Sequence, residues 1–408
     1  MLVRCCCDAA AATASGRCRP LALLTNDRPA AARISTWPSR RKPCTTRSRI
    51  RCLYVVLPRQ HRQQQQQPPP RADPSLGARE QESAIAQARE RDQLRASAAP
   101  LGPLHGLQIS VKDNLVVAGG DCTLGTARLA LQPHEADGLL VSALRDAGAV
   151  PFAKTCVPQS LLVPETVSPL FGTTLNPYNT TRVPGGSSGG EAALLAAGGS
   201  VVGIGTDVGG SVRIPAHCWC VCCSCARSRS HAPDDAHRSL DNSPQARGVD
   251  SGLTAIKPTS ARISKLGHLS TVRGQEGIAS CAGPISVSVE GLAAVLRVWL
   301  SPAVFERDPT LPPLPFDEAA FRSTRPLRFG FYVADGFHPP SNAIQRAVRE
   351  TADRLRAAGH TVVEFPIQEF DLGAVVEYYY AMIGADAFSQ VFEGLEGEVI
   401  ERTLYPVC

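Results

Sequence analysis

Two glycine-rich serine clusters lie close together in the chain, and they restrict its fold more than any other stretch. Residues 184–216 read PGGSSGGEAALLAAGGSVVGIGTDVGGSVRIPA. An alanine-rich run typical of a helix and a short apolar run typical of a buried strand separate the clusters. Glycine tolerates positive φ and allows backbone N–H groups to approach a ligand closely. The pattern therefore predicts a loop, a helix, a strand and a second loop, with each serine surrounded by backbone.

Strands and helices also alternate in the rest of the chain. The hydrophobic pattern predicts a helix over 77–98, a strand over 104–115, a helix over 137–149, a strand over 150–155 and, further on, a β-α-β unit with strands at 327–335 and 361–367. This alternation predicts an α/β fold with a largely parallel or mixed sheet. Ser188, followed three residues later by Glu191, predicts a capping box for the helix between the serine clusters.

The first 75 residues differ in composition from the rest. Residues 1–62 carry 13 Lys and Arg against two acids, Asp8 and Asp27, and QQQQQPPP follows at 63–70. The net charge of +5 therefore comes from this segment, and it does not indicate a nucleic-acid-binding face. The composition predicts a disordered basic leader over 1–75. A transit peptide to an organelle and a mis-assigned start of the gene both account for it.

The lengths of the apolar runs and the distribution of the cysteines indicate the kind of compartment in which the chain is expected. No apolar run reaches the roughly 18 residues that a transmembrane helix needs, so we expect a soluble chain, in the cytoplasm or in an organelle. Six of the 15 cysteines lie at or before Cys52, and five lie between Cys218 and Cys225. This uneven distribution does not resemble a disulfide framework and favours a reducing compartment.

Residues 218–251 interrupt the alternation of predicted strands and helices. The segment is polar, aperiodic and rich in cysteine, and its cysteine spacing is C-x-C-x-C-C-x-C. Structural zinc sites use paired C-x-x-C units instead, so no metal site is predicted. A retained intron and a real surface insertion are the two interpretations of this segment.

A serine hydroxyl is a poor nucleophile unless a base removes its proton. Among the histidines only His217 is near either serine cluster, and the G-x-S-x-G elbow of α/β-hydrolases is absent around Ser211. Lys112, at the end of an apolar strand, is a candidate base because burial disfavours the ammonium form. Each residue also has a plainer interpretation: Ser187 and Ser188 as a helix cap, Ser211 in a tight turn, and Lys112 as a solvated lysine.

Three motifs in order carry a family resemblance: ISVKDN (109–114), PGGSSGGEAAL (184–194) and GTDVGGSVRIPA (205–216). Together they resemble the amidase signature family, and most of all its fatty acid amide hydrolases, over about residues 77–370 apart from 218–251. The resemblance implies one amidase signature domain over 76–408, with a mixed twisted β-sheet flanked by α-helices. It also implies that the family's C-terminal part is missing from this chain.

The resemblance further implies a Ser-Ser-Lys triad. Ser211 would be the acylated nucleophile, Ser187 a relay serine held by a cis peptide bond, and Lys112 the terminal base. The other implied site residues are Val208, Gly209, Gly210 and Ser211 as the oxyanion hole, Ser160 and Leu161 beside the acyl site, and Ser188, Asp207 and Arg213 in support.

The implied activity is hydrolysis of a fatty acid amide or N-acyl amine to acid and amine. Neither a metal nor an organic cofactor is expected, and the expected partner is a small-molecule amide rather than nucleic acid. Peripheral membrane contact and a homodimer are further expectations. Two alternatives stay open: a protein like the A subunit of glutamyl-tRNA amidotransferase, and an inactive or truncated product that only binds ligand.

Overall fold

A mixed five-stranded sheet forms the centre of the structure. The computed structural model describes residues 74–97, 100–218 and 252–404. The strands are Gln108–Lys112 (β1), Val150–Thr155 (β2), Val167–Ser168 (β3), Gly172–Thr173 (β4), Val202–Asp207 (β5), Thr254–Ala255 (β6), Cys281–Ser286 (β7), Arg328–Phe331 (β8) and Thr361–Glu364 (β9). The central sheet has the order β2-β1-β5-β7-β6. In it β1 is parallel to β2 and β5, and β7 is antiparallel to β5 and β6.

Helices cover both faces of this sheet. The α-helices of the described residues are Pro74–Ala96 (α1), Leu139–Asp146 (α2), Gly189–Ala196 (α3), Arg213–Cys218 (α4), Val289–Trp299 (α5), Pro302–Arg307 (α6), Glu318–Arg322 (α7), Asn342–Ala357 (α8), Leu372–Ile383 (α9) and Ser389–Leu395 (α10). None of the helices in this part of the chain combines the length and apolar character needed to cross a membrane.

The two faces of the sheet bury different side chains, because successive residues of a strand point in opposite directions. Ile109 and Val111 of β1 belong to a core cluster that includes Leu144 of α2 and Trp299 of α5. Helix α3 has its own buried cluster, in which Leu195 packs with Ile285 of β7.

Glycines in β5 allow α3 to approach the sheet closely. A Cβ added at Gly203 would collide with the Glu191 carboxylate, and one added at Gly205 would lie 2.8 Å from Ser188 Oγ. Ile204, between these glycines, and Val202, before them, belong to the core cluster on the other face. The alternation of glycine and large apolar residues in VGIGTD thus places the N-terminus of α3 directly over the strand.

A separate β-α-β unit follows the central sheet. β8 and β9 pair in parallel, α8 connects them, and they form a two-stranded sheet of their own. Both strands are largely exposed, and of α8 only Ala352 is buried. Most of the large apolar side chains that are exposed in the described residues lie beyond residue 313.

The structure confirms the α/β class, the mixed sheet flanked by helices, and the predicted β-α-β unit. The capping box is wrong. Ser188 is the N-cap residue of α3 but forms no side-chain cap bond. The Glu191 carboxylate turns towards the sheet, where it accepts hydrogen bonds from Ser110 Oγ (2.6 Å) and Thr155 Oγ1 (2.7 Å). Two strand hydroxyls therefore take the place of the helix amide that a capping box requires.

Two predicted segments lie mainly outside the described residues. Of the leader predicted over 1–75, only residues 74 and 75 are described, and they begin α1. Of the insertion predicted over 218–251, only Cys218 is described, at the end of α4.

Candidate active site

Lys112 ends β1, and its side chain is completely buried. Its Nζ lies 2.7 Å from Ser187 Oγ, 2.9 Å from Thr206 Oγ1 and 3.3 Å from the Thr206 carbonyl oxygen. Burial lowers the pKa of Lys112 to about 7, although the carboxylates of Asp207, Asp113 and Glu191 act in the opposite direction. The amine is therefore partly neutral at neutral pH.

The surroundings of Lys112 suit a neutral amine, which has two N–H donors and one lone pair. The two oxygens of Thr206 can accept the two N–H groups. The lone pair is then left for the hydroxyl of Ser187, which becomes the donor in the 2.7 Å contact. In that state Lys112 is arranged as a proton acceptor.

The loop that carries Ser187 is buried and closely packed. The Gly186–Ser187 peptide bond is cis, as the resemblance implied, and Ser187 is 2% exposed. A Cβ added at Gly186 would lie 2.8 Å from the carbonyl carbon of Pro164 and 2.9 Å from the amide nitrogen of Glu165. Glycine is required here because neighbouring backbone occupies the space of a side chain.

The loop that carries Ser211 is held by Asp207, a buried residue at the end of β5. The carboxylate accepts hydrogen bonds from the amides of Gly210 (2.8 Å), Val212 (3.0 Å) and Arg213 (3.3 Å). The Arg213 guanidinium donates to both carboxylate oxygens, at 3.0 and 2.9 Å. Burial acts to raise the pKa of Asp207, but these hydrogen bonds hold it below its usual value. Asp207 and Arg213 thus form the support of the loop.

The loop amides divide into two groups. The Gly210 N–H donates to Asp207 Oδ1, so this amide is not available as the oxyanion donor that the resemblance implied. The amides of Val208, Gly209 and Ser211 have no hydrogen-bond partner in the described parts of the chain. Three of the four predicted donors are therefore left to bind a ligand.

The two serine loops contact each other directly. The amide of Ser188 donates to the carbonyl oxygen of Ser211 at 3.1 Å. Ser211 is half-buried, and no hydrogen bond joins its hydroxyl to that of Ser187. The structure thus places Lys112 against Ser187 and the Ser187 loop against the Ser211 loop, without a bond between the two hydroxyls.

Ser160 and Leu161 lie in the short 3-10 helix Gln159–Leu161, and both have a left-handed φ of 66°. Ser160 is buried, and its hydroxyl has no hydrogen-bond partner. Leu161 is half-buried, and its amide donates to the carbonyl oxygen of Pro158. No hydrogen bond links either residue to the two serine loops, so their place beside an acyl group stays a prediction.

The sequence pattern did not single out Thr206 and Asn114. The Thr206 hydroxyl donates to Asn114 Oδ1 at 3.2 Å, and Asn114 Nδ2 donates to the carbonyl oxygen of Leu269 at 2.8 Å. Thr206 therefore fixes Lys112 and is itself fixed by Asn114. The signal was present, because Asn114 lies in the ISVKDN motif and Thr206 lies in the GTDVGGSVRIPA motif, each near the end of a predicted strand.

No group of three or more His, Cys, Asp or Glu residues that could hold a metal occurs within residues 74–97, 100–218 and 252–404. Of the five cysteines with C-x-C-x-C-C-x-C spacing, those at 220, 222, 223 and 225 lie outside these ranges.

Comparison with known proteins assigns the family. The amidase family model matches residues 75–223 and 251–405, most of the chain, and leaves 224–250 unmatched. The chain belongs to the amidase family.

Among the curated relatives, the vitamin D3 hydroxylase-associated protein of Gallus gallus is 36% identical over 303 residues, which are 74% of this chain and 58% of the relative. Fatty-acid amide hydrolase 1 of Sus scrofa is 42% identical over 264 residues, 65% of this chain and 40% of the relative. Among solved structures, a fatty acid amide hydrolase matches with a TM-score of 0.66 and 27% identity, over 79% of this chain and 52% of that one. The chain thus spans about half the length of these proteins.

Proposed function

We propose that the chain is an amide hydrolase of the fatty acid amide hydrolase type, with Ser211 as nucleophile, Ser187 as relay and Lys112 as base. The observation that carries this proposal is the environment of Lys112. A completely buried lysine with a pKa of about 7 contacts the Ser187 hydroxyl at 2.7 Å. A solvated surface lysine has neither property.

Acylation begins with the neutral amine of Lys112. It accepts a proton from Ser187 while Ser187 accepts one from Ser211, whose oxygen adds to the substrate's carbonyl carbon. The two serine loops already meet at the 3.1 Å bond from Ser188 to Ser211. A small movement of the half-buried Ser211 side chain on substrate binding completes the relay, as is common in sites without ligand.

The tetrahedral intermediate collapses when the amine leaves. The proton returns along the same relay to the leaving nitrogen, the C–N bond breaks, and the acyl group stays on Ser211 Oγ. Water, deprotonated through Ser187 and Lys112, then adds to the acyl carbon and releases the acid. Both half-reactions need Lys112 in the neutral form at the start.

The negative charge of the intermediate is stabilised by backbone donors. The amides of Val208, Gly209 and Ser211 lie in the loop without partners, and they are held in place because the adjoining amides donate hydrogen bonds to the Asp207 carboxylate. Losing one donor of this type typically reduces kcat about 100- to 1000-fold.

Several relatives support a fatty-acyl amide as substrate. Proteins from Sus scrofa and Caenorhabditis elegans that are named fatty acid amide hydrolase 1 are 42% and 38% identical to this chain. A protein of Emericella nidulans named acetamidase is 34% identical, which makes a short-chain amide the competing candidate. Peripheral membrane contact and a homodimer stay predictions.

The first test is labelling of the purified full chain with a fluorophosphonate, read by mass spectrometry. The serine oxygen displaces fluoride and forms an O–P bond, so only an activated serine reacts. We expect one adduct, on Ser211, and none on the Ser211→Ala variant. A soluble, folded chain that carries no adduct would contradict the proposed hydrolase.

Substrate class is tested by hydrolysis of a long-chain primary fatty acid amide beside acetamide. We expect a higher kcat/KM for the long-chain amide, because a longer acyl chain buries more apolar surface. Acetamide hydrolysis at an equal or higher kcat/KM would favour the short-chain candidate and leave the nucleophile assignment intact.

A further inference from the structure

A tyrosine far along the chain lies against the loop that carries Ser211. A Cβ added at Gly209 would collide with the hydroxyl oxygen of Tyr379 and lie 2.9 Å from its Cζ. Apart from the chain neighbours of Gly209, the three atoms nearest to that Cβ position all belong to Tyr379. The Tyr379 hydroxyl therefore occupies the space beside Gly209, one of the loop residues whose amides have no partner.

Helix α9 holds Tyr379 in this position. Asp371 caps the N-terminus of the helix, and its carboxylate accepts a hydrogen bond from the amide of Ala374 at 3.0 Å. At its other end, Gln275 Nε2 donates to the carbonyl oxygens of Met382 and Ile383, at 3.3 and 3.1 Å. Ile383 is buried. Tyr379 thus lies on a helix that is fixed at both ends.

The hydroxyl of Tyr379 has no hydrogen-bond partner in the described parts of the chain, although the residue is half-buried. Buried tyrosine hydroxyls usually have a partner. The neighbouring amides of Val208 and Gly209 are unpartnered as well. A phenol hydroxyl can accept as well as donate, but no hydrogen bond joins Tyr379 to either amide. One acceptor oxygen placed among the three groups would satisfy all of them.

We propose that the Tyr379 hydroxyl donates a hydrogen bond to the carbonyl oxygen of the amide substrate, as a further member of the oxyanion hole. This inference rests on the proposed function, since it assigns a ligand to the same loop. When Ser211 Oγ adds to the carbonyl carbon, the π electron pair moves to the carbonyl oxygen. The hydrogen bond from Tyr379 strengthens as that charge develops, and no proton is transferred.

The protonation state of Tyr379 agrees with this role. Burial raises the pKa of Tyr379 above its usual value, with the charges of Tyr380 and Asp207 acting in the same direction. The phenol therefore keeps its proton at neutral pH, where Lys112 is partly neutral, and it is a donor there.

The sequence EYYYA supplies matched controls. Tyr378 and Tyr380 flank Tyr379 in α9, and they are 68% and 64% exposed. A phenylalanine at position 379 keeps the ring and removes only the hydroxyl. The same change at 378 or 380 removes an exposed hydroxyl from the same helix.

The experiment measures the rate of Ser211 labelling by a fluorophosphonate, and kcat and KM for amide hydrolysis, in the full chain. The phosphoryl oxygen of the probe occupies the place of the carbonyl oxygen. We expect Tyr379→Phe to reduce the labelling rate and kcat by about tenfold or more, with little change in KM. Tyr378→Phe and Tyr380→Phe should react at the rate of the unmodified chain.

A second pair of variants tests the contact itself. Gly209→Ala places a methyl group where the Tyr379 hydroxyl lies, so it should displace that hydroxyl and reduce labelling by at least as much as Tyr379→Phe. The double variant Gly209→Ala/Tyr379→Phe should be no slower than Gly209→Ala alone, because both changes remove one interaction. Fully additive losses would overturn the proposal.

The outcomes separate this proposal from the one on which it rests. An unmodified chain that labels at Ser211, with Tyr379→Phe labelling equally fast, overturns the role of Tyr379 and leaves the hydrolase intact. An unmodified chain that is not labelled overturns the nucleophile and this inference together. A melting temperature for each variant shows that a slow rate does not arise from loss of the fold.

Discussion

The two glycine-serine loops look alike in sequence but differ in almost every physical respect. The Ser187 loop is buried, carries the cis peptide bond and contacts a base. The Ser211 loop is half-buried at its serine, and its support is the Asp207–Arg213 pair. The comparison shows that glycine admits different neighbours in the two loops. In the first it admits neighbouring backbone, whereas in the second Gly209 admits the hydroxyl of Tyr379.

The largest effect is expected from a change at Lys112, the proposed base that contacts the Ser187 loop. Lys112→Met keeps the length of the side chain but removes the proton acceptor, so kcat/KM should fall by about 1000-fold or more. The melting temperature should hold or rise, because an apolar group replaces a buried amine. Lys265→Met, at an exposed lysine, is the matched control and should leave kcat/KM unchanged. A Lys112→Met variant that remains active would show that the two loops work without a base.

The next largest effect is expected from a change at Asp207, which holds the Ser211 loop. Asp207→Asn removes the charge that pairs with Arg213 and replaces one acceptor oxygen with a donor, so the Ser211 loop should shift. A displacement of about 1 Å is enough to reduce kcat about 100-fold. The measurements are kcat and the fluorophosphonate labelling rate. Labelling at the normal rate would mean that the loop keeps its shape without the ion pair.

The pH dependence of activity tests whether Lys112, the base that contacts the Ser187 loop, controls the rate. Because the pKa of Lys112 is lowered to about 7, the neutral base is lost as the pH falls through 7, and kcat/KM should fall about tenfold per unit below it. His268, whose pKa burial lowers to about 4, does not titrate in this window.

Glu191 needs a control, because burial raises its pKa to about 7 as well. If Lys112 is responsible, Glu191→Gln should keep the fall in activity at low pH but move it to a lower pH, because the Glu191 carboxylate acts to raise the pKa of Lys112. Its stability profile should also change. The folded state holds the Glu191 proton up to a higher pH than the unfolded state, so the unmodified chain loses stability as the pH rises from about 4.5 to about 7. Glu191→Gln should remove that slope, as measured by urea unfolding at several pH values.

The smallest effect is expected from loss of the hydroxyl of Ser188, the residue whose amide links the two loops. Its hydroxyl makes only one long hydrogen bond, 3.4 Å to the carbonyl oxygen of Thr206, and it does not cap α3. Ser188→Ala should therefore cost less than Ser288→Ala, where the serine caps α5 by accepting from Gly291 at 3.1 Å. The loss at Ser288 should be about 1 kcal/mol of unfolding free energy. Equal losses would restore a capping role for Ser188.

Much of the fold follows from local patterns. The strand that ends at Lys112, the helix between the serine loops and the β-α-β unit near the C-terminus were all predicted from periodicity and turn residues. The prediction failed where a local pattern had two physical solutions. Ser188 and Glu191 have the spacing of a capping box, yet Ser110 and Thr155 offer the Glu191 carboxylate two hydroxyls from the sheet.

The oxyanion loop shows the same limit. Its four amides were equivalent in the sequence, and only the orientation of the Asp207 carboxylate separates Gly210 from its neighbours. Thr206 likewise became part of the site only because the register of β1 and β5 places it beside Lys112. Contacts of this kind depend on strand pairing, which periodicity does not specify.

By itself, the sequence determined the order of strands and helices, the two glycine-serine loops and the residue types that form the candidate site. These properties depend on neighbours within a few positions, where propensity and sterics act directly. Only the tertiary structure decided that Lys112 is buried against Ser187, 75 positions away, and that Tyr379 lies beside Gly209. The reason is physical: burial sets the pKa of the lysine and close packing places the tyrosine, and both arise from segments that are distant in the chain.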